Sequence, residues 1–198
     1  PITLYSNDFD DNGTIDPVIT HFYQKQETPF ASKDELVKQI PFLNKKYLSY
    51  KDFANASFTD LLPKEKIYEA YKKQIFELGS CYFENLGNTT FKKHQLPFMA
   101  QISSVNDIAI DDYNNDGFMD VFLVGNNYNI NTQLGKLDAS HGIILLNNKI
   151  GFFDESLDQD FNISGEARNI QKLLINNEMF YVISINNDVP IFIKLHKW

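Results

Sequence analysis

Asp112-Tyr-Asn114-Asn-Asp116-Gly117-Phe118-Met-Asp120 runs directly into the apolar stretch Val121-Phe-Leu-Val124. The same arrangement stands near the start of the chain, where Asp8-Phe-Asp10-Asp-Asn12-Gly13-Thr14-Ile-Asp16 leads into Val18 and Ile19. Each loop places oxygen-bearing side chains at positions 1, 3, 5 and 9 and glycine at position 6. Calcium takes six to eight oxygen ligands at about 2.3–2.6 Å in a tolerant shell, which alternate side chains on a tightly curved loop can supply. The glycine permits the sharp turn that aims the position-7 carbonyls, those of Thr14 and Phe118, inward as further ligands. Three carboxylates and one amide per loop favour a hard divalent cation over a transition metal, and magnesium demands a smaller and stricter shell.

The first half of each loop matches the EF-hand signature, but position 12 does not. An EF-hand needs a bidentate glutamate there, whereas this chain has Ile19 and Leu123, both in apolar runs. Asp16 and Asp120 must therefore close the shell, and each loop leads into a strand rather than a helix. Asn, Asp and Gly favour turns on their own account. The same four-ligand pattern occurring twice is what turns that composition into an expectation of two Ca²⁺ sites.

Working outward, Ile2 and Leu4 before the first loop and Val18, Ile19 and Phe22 after it read as strand, loop, strand. Residues 28–78 change character. Ser32 and Glu35 have capping-box spacing ahead of Leu36, Val37 and Ile40, and Pro41 stops that helix. Pro63 opens a second expected helix carrying Ile67, Tyr68, Tyr71, Ile75 and Leu78, with Glu69 and Lys73 paired across one turn. From Ser80 onward β-type runs return: Cys81–Phe83, Ile108–Ile110, Val121–Val124, Ile143–Leu146, Leu173–Ile175, Phe180–Ile185 and Ile191–Leu195.

The chain also matches itself at a period of about 60 residues. Asp120-Val-Phe-Leu-Val-Gly-Asn126-Asn127 aligns with Phe180-Tyr-Val-Ile-Ser-Ile-Asn186-Asn187. In that third copy Asn176 replaces Asp116, Asn177 replaces Gly117 and Phe180 replaces Asp120, so the strand persists and the metal ligands do not. A second repeated element is an apolar strand ending in Asn, then Gly, then Phe. It occurs at Tyr82 to Asn85, Gly87 and Phe91, and again at Leu145 to Asn148, Gly151 and Phe152.

These motifs resemble the FG-GAP or VCBS-type repeats of the integrin α-chain β-propeller and of many large bacterial surface and secreted proteins. The resemblance covers about residues 1–23 and 79–195 and leaves the helical segment outside. The Phe-Gly…Gly-Ala-Pro consensus that names the family is not recognisable, which points to the VCBS-like branch. The resemblance implies an all-β chain of about three β-propeller-type blades, a partial propeller, with an α-helical insertion. It implies a first β unit over residues 1–27, the insertion over 28–78, a second blade with its calcium loop over 79–140, and a degenerate third over 141–198. Three blades are too few to close a ring. The expectation is the C-terminal portion of a larger propeller, cut out just ahead of the first loop and ending naturally near Lys197 and Trp198, whose open edges pair with further blades of the parent chain or with a second copy.

Composition bounds the function. The 198 residues are 43% hydrophobic and can bury a core, and the formal charge of −8 with a single arginine, Arg168, argues against nucleic acid or an anionic membrane. Two calcium ions would halve that charge. Cys81 stands alone, so neither an intrachain disulfide nor a cysteine zinc site can form; beside Tyr82 and Phe83 it reads as a buried thiol. No stretch has the length of a membrane-spanning helix.

The leading expectation is a calcium-stabilised, non-catalytic binding or adhesion module at the cell surface, in the periplasm or outside the cell, recognising protein or carbohydrate. Phe42, Tyr47, Tyr50, Phe53 and Phe58 either form its contact surface or, the plainer reading, pack the insertion. The alternative is a hydrolase or lyase on carbohydrate or lipid, with Asp154, Glu155 and Asp158 as acids and bases and His94 or His141 carrying a proton. Two carboxylates converging in a cleft away from the metal loops would favour it. His21 and His196 have no partner at ligand spacing, and the sequons at Asn55 and Asn88 carry no reading without a source.

Overall fold

The computed structural model describes residues 1–130, 135–156 and 161–195. Asp158, His196, Lys197 and Trp198 lie outside them. The chain is mostly β, in several antiparallel sheets, none of them closed, and it divides into two compact units, Pro1–Leu78 and Gly79–Trp198.

In the first unit β1 (Ile2–Asn7), β2 (Asp16–Tyr23) and β3 (Gln26–Pro29) form a meander. Five short helices follow: α1 (Lys33–Gln39), α2 (Phe42–Lys46), α3 (Tyr50–Asn55), α4 (Phe58–Leu61) and α5 (Lys64–Glu69). The chain then returns as β4 (Tyr71–Ile75) beside β1, giving the order β3-β2-β1-β4. Ser32 and Glu35 form the expected reciprocal capping box, and α1 ends at Ile40, before Pro41. The helices are too short to hold themselves and depend on the side chains they bury. Leu36, Ile40, Leu43, Phe53, Phe58, Leu61 and Ile67 pack with Tyr5, Phe9 and Val18 of the sheet side. Fully burying one such large side chain contributes roughly 1.5–3 kcal/mol. Of the helical aromatics, Phe53 and Phe58 are thus core, Phe42 and Tyr47 pack against it, and Tyr50 stays exposed.

The expected long helix after Pro63 is corrected. It stops at Glu69; Ala70 is extended, and Tyr71–Ile75 pair with β1 in the register Ile2↔Ile75 to Ser6↔Tyr71. Lys73 is therefore in a strand and cannot pair with Glu69 across a helical turn. Ile67, Tyr71 and Ile75, spaced by four, suit either period, and the open edge of β1 decides by offering backbone hydrogen bonds.

The second unit begins with the hairpin β5 (Cys81–Gly87) and β6 (Thr90–Gln95). A four-stranded meander follows: β7 (Val105–Asp111), β8 (Asp120–Gly125), β9 (Ile143–Asn147) and β10 (Phe153–Glu155). A three-stranded sheet of β11 (Ala167–Ile175), β12 (Glu178–Ile185) and β13 (Ile191–Ile193) completes it. β8 is buried on both faces: Phe122 and Val124 join Ile144, Ile170, Tyr181 and Ile183 in one core, while Leu123 meets Leu145 and Ala100 in another. β5–β6 and β9–β10 are both hairpins, with Gly87 and Gly151 at positive φ where their turns require it. Cys81 is only partly buried, not enclosed as its apolar neighbours suggest, because β5 is one half of a two-stranded ribbon.

Candidate metal loops

Each acidic loop joins the first two strands of a meander, and each closes the ladder at the same place. Asn7 pairs with Asp16 between β1 and β2, and Asp111 pairs with Asp120 between β7 and β8. The position-9 carboxylate therefore sits at the root of a hairpin, where both strands fix it.

The internal hydrogen bonds repeat position by position. Position 1 accepts two backbone N–H groups: Asp8 from Asn12 at 3.0 Å and Gly13 at 2.8 Å, Asp112 from Asp116 at 3.0 Å and Gly117 at 2.9 Å. Position 3 accepts from the N–H of position 5, at 3.3 Å for Asp10 and 3.1 Å for Asn114. Position 5 accepts from position 7, at 2.7 Å for Asn12 to Thr14 and 2.9 Å for Asp116 to Phe118. Positive φ falls at positions 4 and 6 in both, on Asp11 and Gly13 and on Asn115 and Gly117. Asp and Asn tolerate that conformation among side-chain-bearing residues, so both loops carry a suitable residue at each reversal.

Position 2 is a feature that sequence reasoning missed. Phe9 and Tyr113 are both buried core residues, and the N–H of each donates to the position-9 carboxylate at 3.0 Å. An aromatic at the second place of both loops was the available signal. It anchors the loop, and position 9 grips the anchor by its backbone. Asp16 is 1% exposed and Asp120 0% exposed.

Electrostatics separates the two loops. In the first, the carboxylates of Asp8, Asp10 and Asp16 offer oxygens that all lie within 4.8 Å of one another. Burial, reinforced by the charges of Asp10 and Asp8, holds the Asp16 carboxyl above its ordinary range despite the N–H of Phe9. Desolvation works against Asp8, but the N–H groups of Gly13 and Asn12 and the charge of Lys66 keep it below that range. Three converging carboxylates of which one is buried and reluctant to ionise would be stabilised by a cation placed among them. Lys66 pairs with Asp11, outside the ligand positions.

Among the described residues no second trio of carboxylate, histidine or cysteine side chains converges in this way. In the second loop position 3 is the neutral Asn114, whose amide donates to Asp116 Oδ2 at 3.2 Å, and Lys149 pairs with the same oxygen at 3.2 Å. The N–H of Phe118, then these two side chains, hold the Asp116 carboxyl below its ordinary range. Both oxygens of Asp120 accept backbone N–H groups, from Tyr113 and from Asn147 at 2.8 Å. The donor set is all oxygen in both loops and fits calcium, more fully in the first.

The stretch from Asn176 to Phe180 holds a different kind of turn. β11 and β12 join through Asn176 and Asn177 alone, both at positive φ, where the other two hairpins spend a long loop.

Among the described residues no hydrogen bond or ion pair joins the acid–base candidates Asp154, Glu155, His94 and His141 to one another. Asp154 is exposed on β10. Glu155 accepts the N–H of Met99 at 2.8 Å, and His141 contacts the Ile163 carbonyl at 3.2 Å. His94 is buried, stacked on Tyr82 at 4.8 Å and bonded to Glu84 at 2.8 Å, which gives it a packing role. Sequence reasoning also passed over Glu166, a buried carboxylate held by Tyr128, Asn186 and Arg168.

No family model matches the chain, and no curated protein or solved structure matches it either. No helix among the described residues is long and apolar enough to cross a membrane.

Proposed function

We propose that this chain is a calcium-stabilised, non-catalytic binding module built from propeller-type blades of the FG-GAP or VCBS kind. The observation that carries the reading is the agreement of two loops, in two separate compact units, in ligand positions, hydrogen bonds and backbone reversals. A turn that needed only to reverse the chain takes two residues in this same protein, at Asn176 and Asn177. Nine residues with four ligand side chains exceed that need.

Asp8, Asp10, Asn12, the Thr14 carbonyl and Asp16 would hold the first ion, and Asp112, Asn114, Asp116, the Phe118 carbonyl and Asp120 the second. Calcium, when bound, supplies positive charge that draws the carboxylates together and ties the two strands of each hairpin. Binding only the folded form, it contributes about 2.7 kcal/mol per site at a hundredfold excess over the dissociation constant. The setting on this reading is the cell surface, the periplasm or outside the cell, where calcium modules work at dissociation constants of about 10⁻⁴–10⁻³ M. The ligand on this reading is protein or carbohydrate, and further blades or a second copy complete the open sheets.

The test is thermal melting in millimolar calcium and in chelator, for the natural chain and for Asp10→Ala. Asp10 accepts only one long bond, at 3.3 Å, so its loss removes a ligand at little structural cost. A calcium-dependent rise in melting temperature that Asp10→Ala reduces supports the reading. The absence of any calcium-dependent rise in the natural chain rejects it.

A further inference from the structure

Lys33 is 7% exposed, and among the described residues its ammonium makes no ion pair. Its contacts are the Asn44 amide oxygen at 3.4 Å and the face of the Tyr50 ring, 4.9 Å from the centroid. The nearest acidic neighbour in sequence, Asp34, is committed elsewhere: both its oxygens accept from the Tyr50 hydroxyl, at 2.9 and 3.0 Å. A buried ammonium ordinarily has a carboxylate or several hydrogen bonds to replace its hydration. Lys33 has one long hydrogen bond and an aromatic face.

The same side chain lines a cavity of about 380 Å³ within the first unit. That volume lies in the range of small-molecule sites, which are mostly apolar with a few convergent polar groups. Tyr23, Tyr50 and Phe53 supply the apolar wall, and Thr28 and His21 face each other across the β2–β3 ladder at its polar side. His21 adds a second unmet demand, because its buried Nδ1 has no hydrogen-bond partner. Its ring is held edge-on to Phe30, 5.5 Å between centroids.

From the unpaired buried cation, the orphaned imidazole and the aromatic wall we propose that this cavity binds a small organic anion, a carboxylate or phosphate group carried on an aromatic body, with the Lys33 ammonium as its counter-charge. The anion replaces the missing ion-pair partner of Lys33, and the aromatic body stacks against Tyr50 and Phe53. The site shares no residue with the metal loops, so it stands or falls independently of calcium.

The test titrates the full chain with benzoate, phenyl phosphate and the uncharged isostere benzamide, following the His21 and Tyr50 ring resonances. Saturable shifts are expected with at least one of the two anions, at an affinity at least tenfold above that of benzamide. The stronger anion assigns the head group. Lys33→Met is expected to weaken that anion at least tenfold while leaving benzamide unchanged, with melting temperature checking that the variant folds. The anion-to-benzamide ratio of the natural chain decides the matter if it does not fold. Failure of both anions to bind, equal binding of benzamide, or undiminished binding to folded Lys33→Met overturns the proposal.

Discussion

The ammonium of Lys149 lies 3.2 Å from Oδ2 of Asp116 and 5.4 Å above the ring of Phe118, at positions 5 and 7 of the second loop. A side chain from the β9–β10 turn thus offers positive charge where the first loop relies on converging carboxylates. For calcium to use Asp116 fully, that ammonium has to yield. Both partners are partly exposed, so the pair restrains the site by no more than about fivefold in binding. Lys149→Met is expected to tighten one of two calcium-binding steps by up to about fivefold and leave the other unchanged. Calorimetric titration reads both; two unchanged steps would show that the pair has no hold on the site.

The position-9 carboxylates serve the fold in their own right. Asp120 is buried and accepts the N–H groups of Tyr113 and Asn147 at 3.0 and 2.8 Å. Asp120→Ala leaves two backbone donors without an acceptor, a loss of about 3 kcal/mol. Denaturant unfolding in chelator is therefore expected to show Asp120→Ala strongly destabilised and Asp10→Ala nearly unchanged. Equal stability of the two variants without metal would remove the structural role assigned to position 9.

Glycine matters for different reasons at two places close in sequence. Gly117 has φ of 87°, and a Cβ there meets nothing within 4 Å. Gly117→Ala is expected to cost only the left-handed backbone penalty, about 1–2 kcal/mol. Gly125 has an ordinary backbone, but a Cβ there falls 1.7 Å from the Ser104 carbonyl oxygen. Gly125→Ala must displace that backbone and is expected to lower the melting temperature well beyond Gly117→Ala. Similar losses in the two would contradict this division.

Much of the molecule was legible where one local signal sufficed. Gly13 and Gly117 marked the loops, Ser32 with Glu35 marked a helix start, and the apolar runs after Asp120 and Phe180 marked central strands. What escaped depended on partners distant in the chain. Tyr71–Ile75 carries a pattern that fits helix or strand, and only β1, far back in sequence, decides between them. Lys149 reads as an exposed turn residue until β9 and β10 bring it to Asp116. Lys33 reads as a surface lysine on a helix's first turn until the helices enclose it. Glu166 gave no signal, because its partners Tyr128 and Asn186 lie in loops on either side of it in the chain.

Glu166 also sets an expectation for acid stability. It is 2% exposed and accepts from Tyr128 N at 2.8 Å, Asn186 Nδ2 at 2.5 Å and Arg168 Nη2 at 2.6 Å. The N–H of Tyr128 and the amide of Asn186, aided by Arg168 and opposed by desolvation, hold its carboxyl below the ordinary glutamate range. A carboxyl with a lower pKa folded than unfolded binds its proton more readily in the unfolded chain. Its stabilisation is complete above the unfolded value of about 4.3 and fades as pH falls through the lower folded value. Glu166→Gln removes that dependence and leaves an amide N–H₂ facing other donors. The variant is expected to melt lower than the natural chain at pH 7, with the gap narrowing between about pH 5 and pH 3. Melting temperatures across that range check it, and a gap that stays constant or widens toward acid would show that Glu166 is not held as an ionised group.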